Sequence, residues 1–406
     1  MMDRVPSRRE STRLSTSYSV IARIDEGAAA QVLTDLVRFP TVNPPGDEGP
    51  LAAHLAGQLH AMGMETELRE VLPGRPNMVA RLRGKAGHPV LLFNTHMDVV
   101  PPGAGWTKDP FGGKVVDGRL YGRGAADAKG SLAAFLMAAR ALAHSGIALD
   151  GDLVVTAVVD EETGSQGARR LAPAVAADHA IVGEPTGLDV VIAHRGSFRP
   201  VIAVEGRAAH ASQPGAGVNA IQMAARAITA LEGYGAAFDG RTHPLVGSPT
   251  LAVTIVHGGH KENVIPDRCE FTIDRRLIPG ETEAEAQAAI EHVLEGIRAG
   301  VPEFRASVAR LVPTTGGPSE TPPDAPIVAA LVRAGEAVLG RQPALAGFPA
   351  ACDMVHFRSA GIPTAVLGPG DLARAHTADE WVDLRQVADA ARIYALAALT
   401  LLSISA

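Results

Sequence analysis

Several short stretches place metal-type ligands where a chain could bring them together. In "LLFNTHMDVVPPG" (91–103) an apolar run ends in His96, and Asp98 follows two residues later. Alternate side chains of an extended chain leave on one face, and a carboxylate beside an imidazole can hold the tautomer that offers the other nitrogen to a cation. "YGRGAADAKGS" puts Asp127 in a glycine-rich turn before a helix, where glycine lets the backbone approach closely. "VVDEETGSQG" sets Asp160, Glu161 and Glu162 side by side. Adjacent acids repel one another, and a cation relieves them. Glu161 and Glu162 point to opposite sides, so one could serve a metal and the other a water. "IVGEPT" brings Glu184 to another strand end, and "GPGDLARAHTADEW" brings His376 into a loop bounded by glycine and proline.

Each of these has an ordinary structural explanation. His96 and Asp98 fit a packed histidine or a loop hydrogen bond. Asp127 fits an acid at a helix N-terminus. The acidic triplet fits a solvated loop, and His376 fits a surface loop. As a set they suggest more, because imidazole plus carboxylate without thiolate suits zinc, manganese or cobalt. A carboxylate bridging two cations about 3.5–4 Å apart is an arrangement that activates a water. A free Glu beside it could move the proton to a leaving nitrogen.

Elements must carry these residues. Helical spacing is expected in "ARIDEGAAAQVLTDLVRF", "PLAAHLAGQLHAMG" and "GSLAAFLMAARALAHSG", and strands in "NMVARLRG", "PVLLFNTHMDVV", "GDLVVTAVVDEE" and "HAIVGEP". Such alternation predicts an α/β fold with a mixed, largely parallel sheet between helices, whose ligands sit beyond the carboxyl ends of the strands. The middle changes style to a β-α-β-β-α order, close to the ferredoxin-like plan. The expected organisation is a flexible arm at 1–20, a catalytic domain in two parts (21–195 and 308–406), and an inserted α+β lid at 196–307.

Composition narrows the class. The 406 residues are 46% hydrophobic and 4% aromatic, enough for a large aliphatic core, and the formal net charge of −7 argues against nucleic acid or an anionic membrane as partner. Two distant cysteines, Cys269 and Cys352, predict no disulfide framework and fit a reducing compartment. Without a long apolar span or a leader-like apolar region at the start, a cytoplasmic enzyme is expected.

The ordered motifs "HMDVVP", "YGRGAADAKG", "DEETGSQG", "GEP" and "AHTADE" resemble the two-zinc metallopeptidases that include acetylornithine deacetylase, succinyl-diaminopimelate desuccinylase, aminoacylase and glutamate carboxypeptidase. The resemblance runs from about residue 27 to the C-terminus. It implies two divalent metal ions, zinc first and manganese or cobalt as alternatives. His96 and Glu184 would hold one, Glu162 and His376 the other, and Asp127 would bridge them, with a peptide after it that is often cis in the family. Asp98 would orient His96, and Glu161 would be the general base. Glu rather than Asp at 184 leans towards the deacylase branch. The inserted domain would be a lid and a dimer interface, with higher assembly open. His210 would steady the oxyanion in the partner's site. Asn263 and one of Arg275 and Arg276, here Arg276, would contact the substrate, the arginine pairing with its carboxylate.

Two departures stand out. "AKGS" follows Asp127 in place of a bulkier residue and a double glycine. In "FPAACDMVHF" Cys352 precedes Asp353, a position lining the family's substrate pocket, where Thr is usual, and Ala350 and Ala351 replace glycines. No metal position is altered. The function expected is hydrolysis of the amide of an N-acyl amino acid or similar small carboxylate-bearing molecule. The altered Cys352 loop keeps open an aminohydrolase releasing ammonia from an aromatic or amidine-like carbon. A non-catalytic binding module would require a lost ligand or base, and none is lost.

Overall fold

The computed structural model describes residues 19–403 apart from Asp239, so the arm expected at 1–20 lies outside the described residues up to position 18. The chain divides into two compact units. One takes in the chain up to Ile192, Thr321–Ala346 and everything from Cys352 on; the other is Ala193–Glu320 with Gly347–Ala351.

The first unit is built on a mixed sheet. Its strands are β1 (Glu65–Leu72), β2 (Arg75–Leu82), β3 (Val90–His96), β4 (Asp152–Val158), β5 (His179–Val182), β6 (Val190–His194) and β7 (Thr364–Val366), in the order β1-β2-β4-β3-β5-β7-β6. Parallel pairing occupies the centre, where β3 pairs with β4 and β5, and β5 with β7. The outer pairs β1/β2, β2/β4 and β7/β6 are antiparallel. Every residue of β3 and β4 is buried, which is why both read as near-continuous apolar runs rather than alternating ones. β1 has no such run. Its sequence, ETELREVL, is dominated by Glu and Arg, which suits an edge strand because charge discourages pairing with another chain.

The longer helices that accompany this sheet are α1 (Glu26–Val37), α2 (Gly49–Ala61), α3 (Lys129–Ala143), α4 (Pro326–Leu339) and α5 (Leu384–Leu401). The Asp25 carboxylate caps α1 by accepting from the Ala28 N–H at 2.8 Å. α5 packs against α1, α3 and α4, while α2 lies on β1 and β2. Phe93 of β3, Phe135 of α3 and Tyr394 of α5 meet with ring centroids 4.5–5.6 Å apart. The Tyr394 hydroxyl donates to the Leu367 carbonyl at 2.6 Å, which satisfies its polar end. Removing one such ring from a packed core costs about 3–5 kcal/mol, so this cluster fixes α3 and α5 against the centre of the sheet.

The second unit extends beyond the 196–307 expected of the insert. Its sheet runs Thr250–Gly258, Arg268–Leu277, Pro200–Glu205, Arg305–Leu311, all antiparallel. Helices Ala220–Ala236 and Glu283–Gly300 complete a β-α-β-β-α-β order, the ferredoxin-like plan. The closing strand Arg305–Leu311 is RASVARL, five of whose seven residues are exposed, two of them arginines; its weak apolar signal hides it in the sequence. A Thr282–Glu285 capping box starts the second helix. Cys269 and Cys352 are both buried and free. Among the described residues no helix is long and apolar enough to cross a membrane.

Candidate metal centre

Strand register gathers the ligands. His96 of β3 is level with Val158 of β4, and Asn94 of β3 is level with Val182 of β5. The chain therefore leaves three parallel strands at one edge, towards Asp98, towards Glu161 and Glu162, and towards Glu184. Gly183 makes the last exit possible. A Cβ there would lie 2.6 Å from Ser131 Cβ and 2.9 Å from the Phe135 ring, so only glycine lets the chain pass α3 to reach Glu184.

Asp127 lies between two imidazoles. Its Oδ1 is 3.2 Å from His96 Nε2, and its Oδ2 is 3.3 Å from His376 Nε2. His96 Nε2 is 3.9 Å from Glu184 Oε1, and His376 Nε2 is 3.1 Å from Glu162 Oε2. Two sets of potential ligand atoms result, His96–Asp127–Glu184 and Asp127–Glu162–His376, each gathered within 4.8 Å. Asp127 belongs to both. It does not cap α3, which begins after Ala128 with no side-chain cap. Its turn is held instead by the Glu380 carboxylate, which accepts from the N–H groups of Ala126 (2.9 Å) and Asp127 (3.1 Å) and pairs with buried Arg123. The Asp127–Ala128 peptide is cis.

Asp98 departs from the expectation that its carboxylate orients His96. His96 Nδ1 pairs with the main-chain oxygen of Asp98 at 2.8 Å, while the nearest carboxylate oxygen is 3.7 Å away. A carbonyl only accepts, so Nδ1 carries the proton and Nε2 presents its lone pair. The Asp98 carboxylate accepts from the Glu161 N–H and the Glu162 N–H, at 3.1 Å each, and from Asn43 Nδ2 at 2.9 Å. It therefore holds the turn that carries both glutamates. The reason is directional: a two-residue step out of β3 brings the carbonyl back to the ring and sends the side chain towards the loop after β4.

Around that turn lies a buried network the sequence patterns did not reveal. Asn43 also reaches Asp160 Oδ1 and Thr163 Oγ1, at 3.2 Å each. Arg75 pairs with fully buried Glu48 at 2.6 Å and approaches Asp160 at 3.5 Å. Asp160 itself adopts a left-handed backbone, φ 70°. Asn43 and Glu48 belong to "NPPGDE", which reads from sequence only as an interruption between helices. Glu380 ends the "AHTADE" run, so its proximity to His376 was the one available signal.

Asp353, expected at the substrate, is fully buried. It accepts from Asn94 Nδ2 at 3.2 Å and from the Ser165 hydroxyl, which His356 Nε2 also meets at 3.1 Å. A carboxylate so enclosed braces β3 against the start of the Gln166–Leu171 helix, and its expected contact with substrate is not supported. Burial raises it to about 6, against the hydrogen bond from Ser165.

Crowding sets the protonation of the centre. Burial pushes Glu161 well above the ordinary carboxylate range; His96 opposes this, and Glu184 and Asp353 add to it. Glu184 is likewise pushed well up by burial, against His96 and with Asp127. Burial and then Asp127 raise Glu162. Against the upward push of burial, His376 and His96 hold Asp127 well below its usual value. Hydrogen bonds to Asp127 and Glu162 raise His376 to about 10. So many buried acids in contact with imidazoles favour a bound cation, and the donors are those zinc, manganese and cobalt accept.

The remaining expected residues lie in the second unit. His210 is exposed, with Nδ1 2.7 Å from Ser212 Oγ. Asn263 is exposed, and its carbonyl accepts from the Ala211 N–H at 3.0 Å. Arg275 is buried, paired with Glu281 at 2.7 Å and stacked 4.2 Å from the Phe238 ring centre. Arg276 is part-exposed on the other face of the strand and pairs with Asp274 at 2.7 Å.

Comparison with known proteins places the chain in a family. Residues 92–400 match the model of peptidase family M20/M25/M40. The acetylornithine deacetylase of Pectobacterium carotovorum subsp. carotovorum (strain PC1) is 36% identical over 341 residues, 82% of this chain and 85% of the relative. That of Salmonella arizonae is 36% identical over 339 residues, with 82% and 85% covered. Among solved structures, aminopeptidase PepT from Bacillus cereus ATCC 10987 superposes with a TM-score of 0.77 at 23% identity, covering 93% of this chain and 99% of that one. The Bacillus subtilis YXEP protein, described as a dinuclear metal binding peptidase, superposes with a TM-score of 0.70 at 19% identity, covering 93% and 98%. From its motifs, its fold and these relatives, the chain belongs to peptidase family M20/M25/M40 and is a hydrolase of that family.

Proposed function

We propose that this hydrolase is a deacylase that cleaves the amide of an N-acylated amino acid or a similar small carboxylate-bearing molecule. The observation that carries the reading is Asp127, whose two oxygens face His96 and His376 separately, with buried Glu161 beside them. The acetylornithine deacetylases among its relatives support the substrate class. His96, Asp127 and Glu184 would hold one divalent cation, and Asp127, Glu162 and His376 a second, with zinc the first choice. Bound there, the cations would supply Lewis-acid polarisation of the scissile carbonyl and of a water.

Glu161 takes the proton of the attacking water and delivers it to the departing nitrogen. Its raised proton affinity suits both halves of that task, because a strongly acidic carboxylate would not keep the proton long enough to pass it on. Asp98 fixes where Glu161 starts by holding its N–H. In the second unit, exposed His210 is assigned to the oxyanion of a partner subunit in a homodimer, and Arg276 to the substrate carboxylate.

Glu161→Gln tests the reading, since it keeps the shape and removes the base. Metal content should stay at two per chain while turnover of N-acyl amino acids falls about 10²–10⁴-fold. Substantial turnover in that variant would place the base elsewhere.

A further inference from the structure

His376 reaches the centre on a stretch of loop that begins at the end of the short turn Leu372–Arg374 and runs into the strand Trp381–Asp383. Among the described residues neither the His376 N–H nor the Ala378 N–H has an acceptor. The place of the imidazole therefore depends on how the two ends of the stretch are tied. The strand pairs antiparallel with Arg119–Tyr121, and Trp381 is level with Tyr121. Alternate side chains part along it. Glu380 and Val382 are buried, whereas Trp381 and Asp383 are part-exposed.

The Arg374 guanidinium lies 5.2 Å from the centre of the Trp381 ring. This cation–π contact joins the two ends of the stretch, with His376 between them. Arg119 lies 4.1 Å from the same ring centre. Both arginines are exposed, and among the described residues neither guanidinium makes an ion pair or a hydrogen bond. The indole is thus the contact that places them. Tyr121 meets the indole at 6.5 Å between ring centres, and Lys108 lies 4.1 Å from the Tyr121 ring centre.

Asp379 is an independent tie. Its carboxylate accepts from the Thr107 N–H at 2.9 Å, the Lys108 N–H at 3.2 Å and the Thr107 hydroxyl at 2.5 Å. Both His376 and Asp379 adopt left-handed backbone, φ 62° and 51°. Non-glycine residues keep that conformation where surrounding contacts impose it. Glu380, between them and the indole, is no selective handle on the loop, because it also holds the Asp127 turn that both ligand sets share.

We propose that Trp381, with Arg374 stacked on it, is a positioning residue for His376. The contact closes the loop so that the imidazole stays beside Glu162 and Asp127, and it sets how long the more exposed ligand set keeps its cation. The proposal rests on the reading of Asp127, Glu162 and His376 as one of two metal sets.

The test follows zinc release to a chromogenic chelator from the full-length protein loaded with two zinc ions per chain. Wild type should release in two phases, and His376→Ala should abolish the faster one. Trp381→Ala should speed the faster phase about tenfold, since loss of a residue that supports a metal ligand weakens a site by about 10–100-fold. The slower phase should not change. Arg374→Ala, a surface change that leaves the strand ladder intact, should speed the faster phase about threefold; it decides the matter if Trp381→Ala does not fold. Trp381→Phe and Arg374→Lys should stay near wild type, because they keep a ring and a cation. A second readout needs no metal: nicking of the metal-free protein by subtilisin within 374–381, mapped by mass spectrometry, should rise by similar factors in the two alanine variants. Wild-type release from Arg374→Ala, or equal acceleration of both phases in it, overturns the proposal. A single phase in wild type, or two phases in His376→Ala, shows instead that the second metal set is misread. In that case nicking at the wild-type rate in the alanine variants overturns the positioning role, and faster nicking upholds it.

Discussion

The two ligand sets share Asp127 but are built differently. His96 closes a fully buried strand, is 1% exposed, and has Nδ1 fixed by a main-chain carbonyl. Glu184 follows the parallel neighbour β5 and is also buried. His376 comes from a loop, adopts a left-handed backbone with φ 62°, and leaves 52% of its side chain exposed. Its partner Glu162 follows β4 on the turn that Asp98 holds. One set takes its rigidity from strand register and the other depends on loops, so they should differ in how firmly they keep a cation.

Removing what the sets share is the harshest way to break this comparison. Asp127→Ala should lower bound metal from two per chain towards none, by elemental analysis after dialysis, and turnover by more than about 10³-fold, because both cations lose a ligand. Retention of two metals would mean that the sets do not depend on a common carboxylate. Separate removal sharpens the contrast. His376→Ala should keep about one metal, in the buried set, and in wild type a chelator should release the more exposed metal first. His96→Ala should empty the buried set. Equal release rates would erase the distinction.

Asp98→Ala gives the mildest change. Because His96 is oriented by the Asp98 carbonyl, which the substitution leaves in place, the buried set should keep its metal. The turn carrying Glu161 and Glu162 loses its acceptor, so turnover and affinity of the Glu162–His376 set should fall about 10–100-fold. If the buried set weakened most, the carboxylate would be acting on His96 after all.

Much of the candidate centre was legible because its residues come at abrupt places in the chain. An apolar run that stops at His96, a glycine-rich turn around Asp127 and a strand ending in three acids are local signals. The residues that hold those side chains in place were not. Asn43 acts on Asp98 across 55 positions and Glu380 on Asp127 across 253, and neither stretch has a pattern that declares its partner. Asp353 shows the opposite failure. Its loop suggested a place at the substrate, but burial beside Asn94 and Ser165 makes it a brace. The ferredoxin-like order was legible up to its last strand, whose Arg-rich sequence lacks the apolar alternation that marks the others.

Taken by itself, the sequence determined which residue types could meet a metal, where the strands and helices that carry them begin and end, and to which family they belong. Those are consequences of local patterning, which the chain carries at every position. Tertiary structure alone decided that three strand ends lie level, that Asp127 turns one oxygen to each imidazole, and that the carbonyl of Asp98 rather than its carboxylate faces His96. Those depend on strand register and on hydrogen bonds between distant segments, and both are settled only when the buried strands pack.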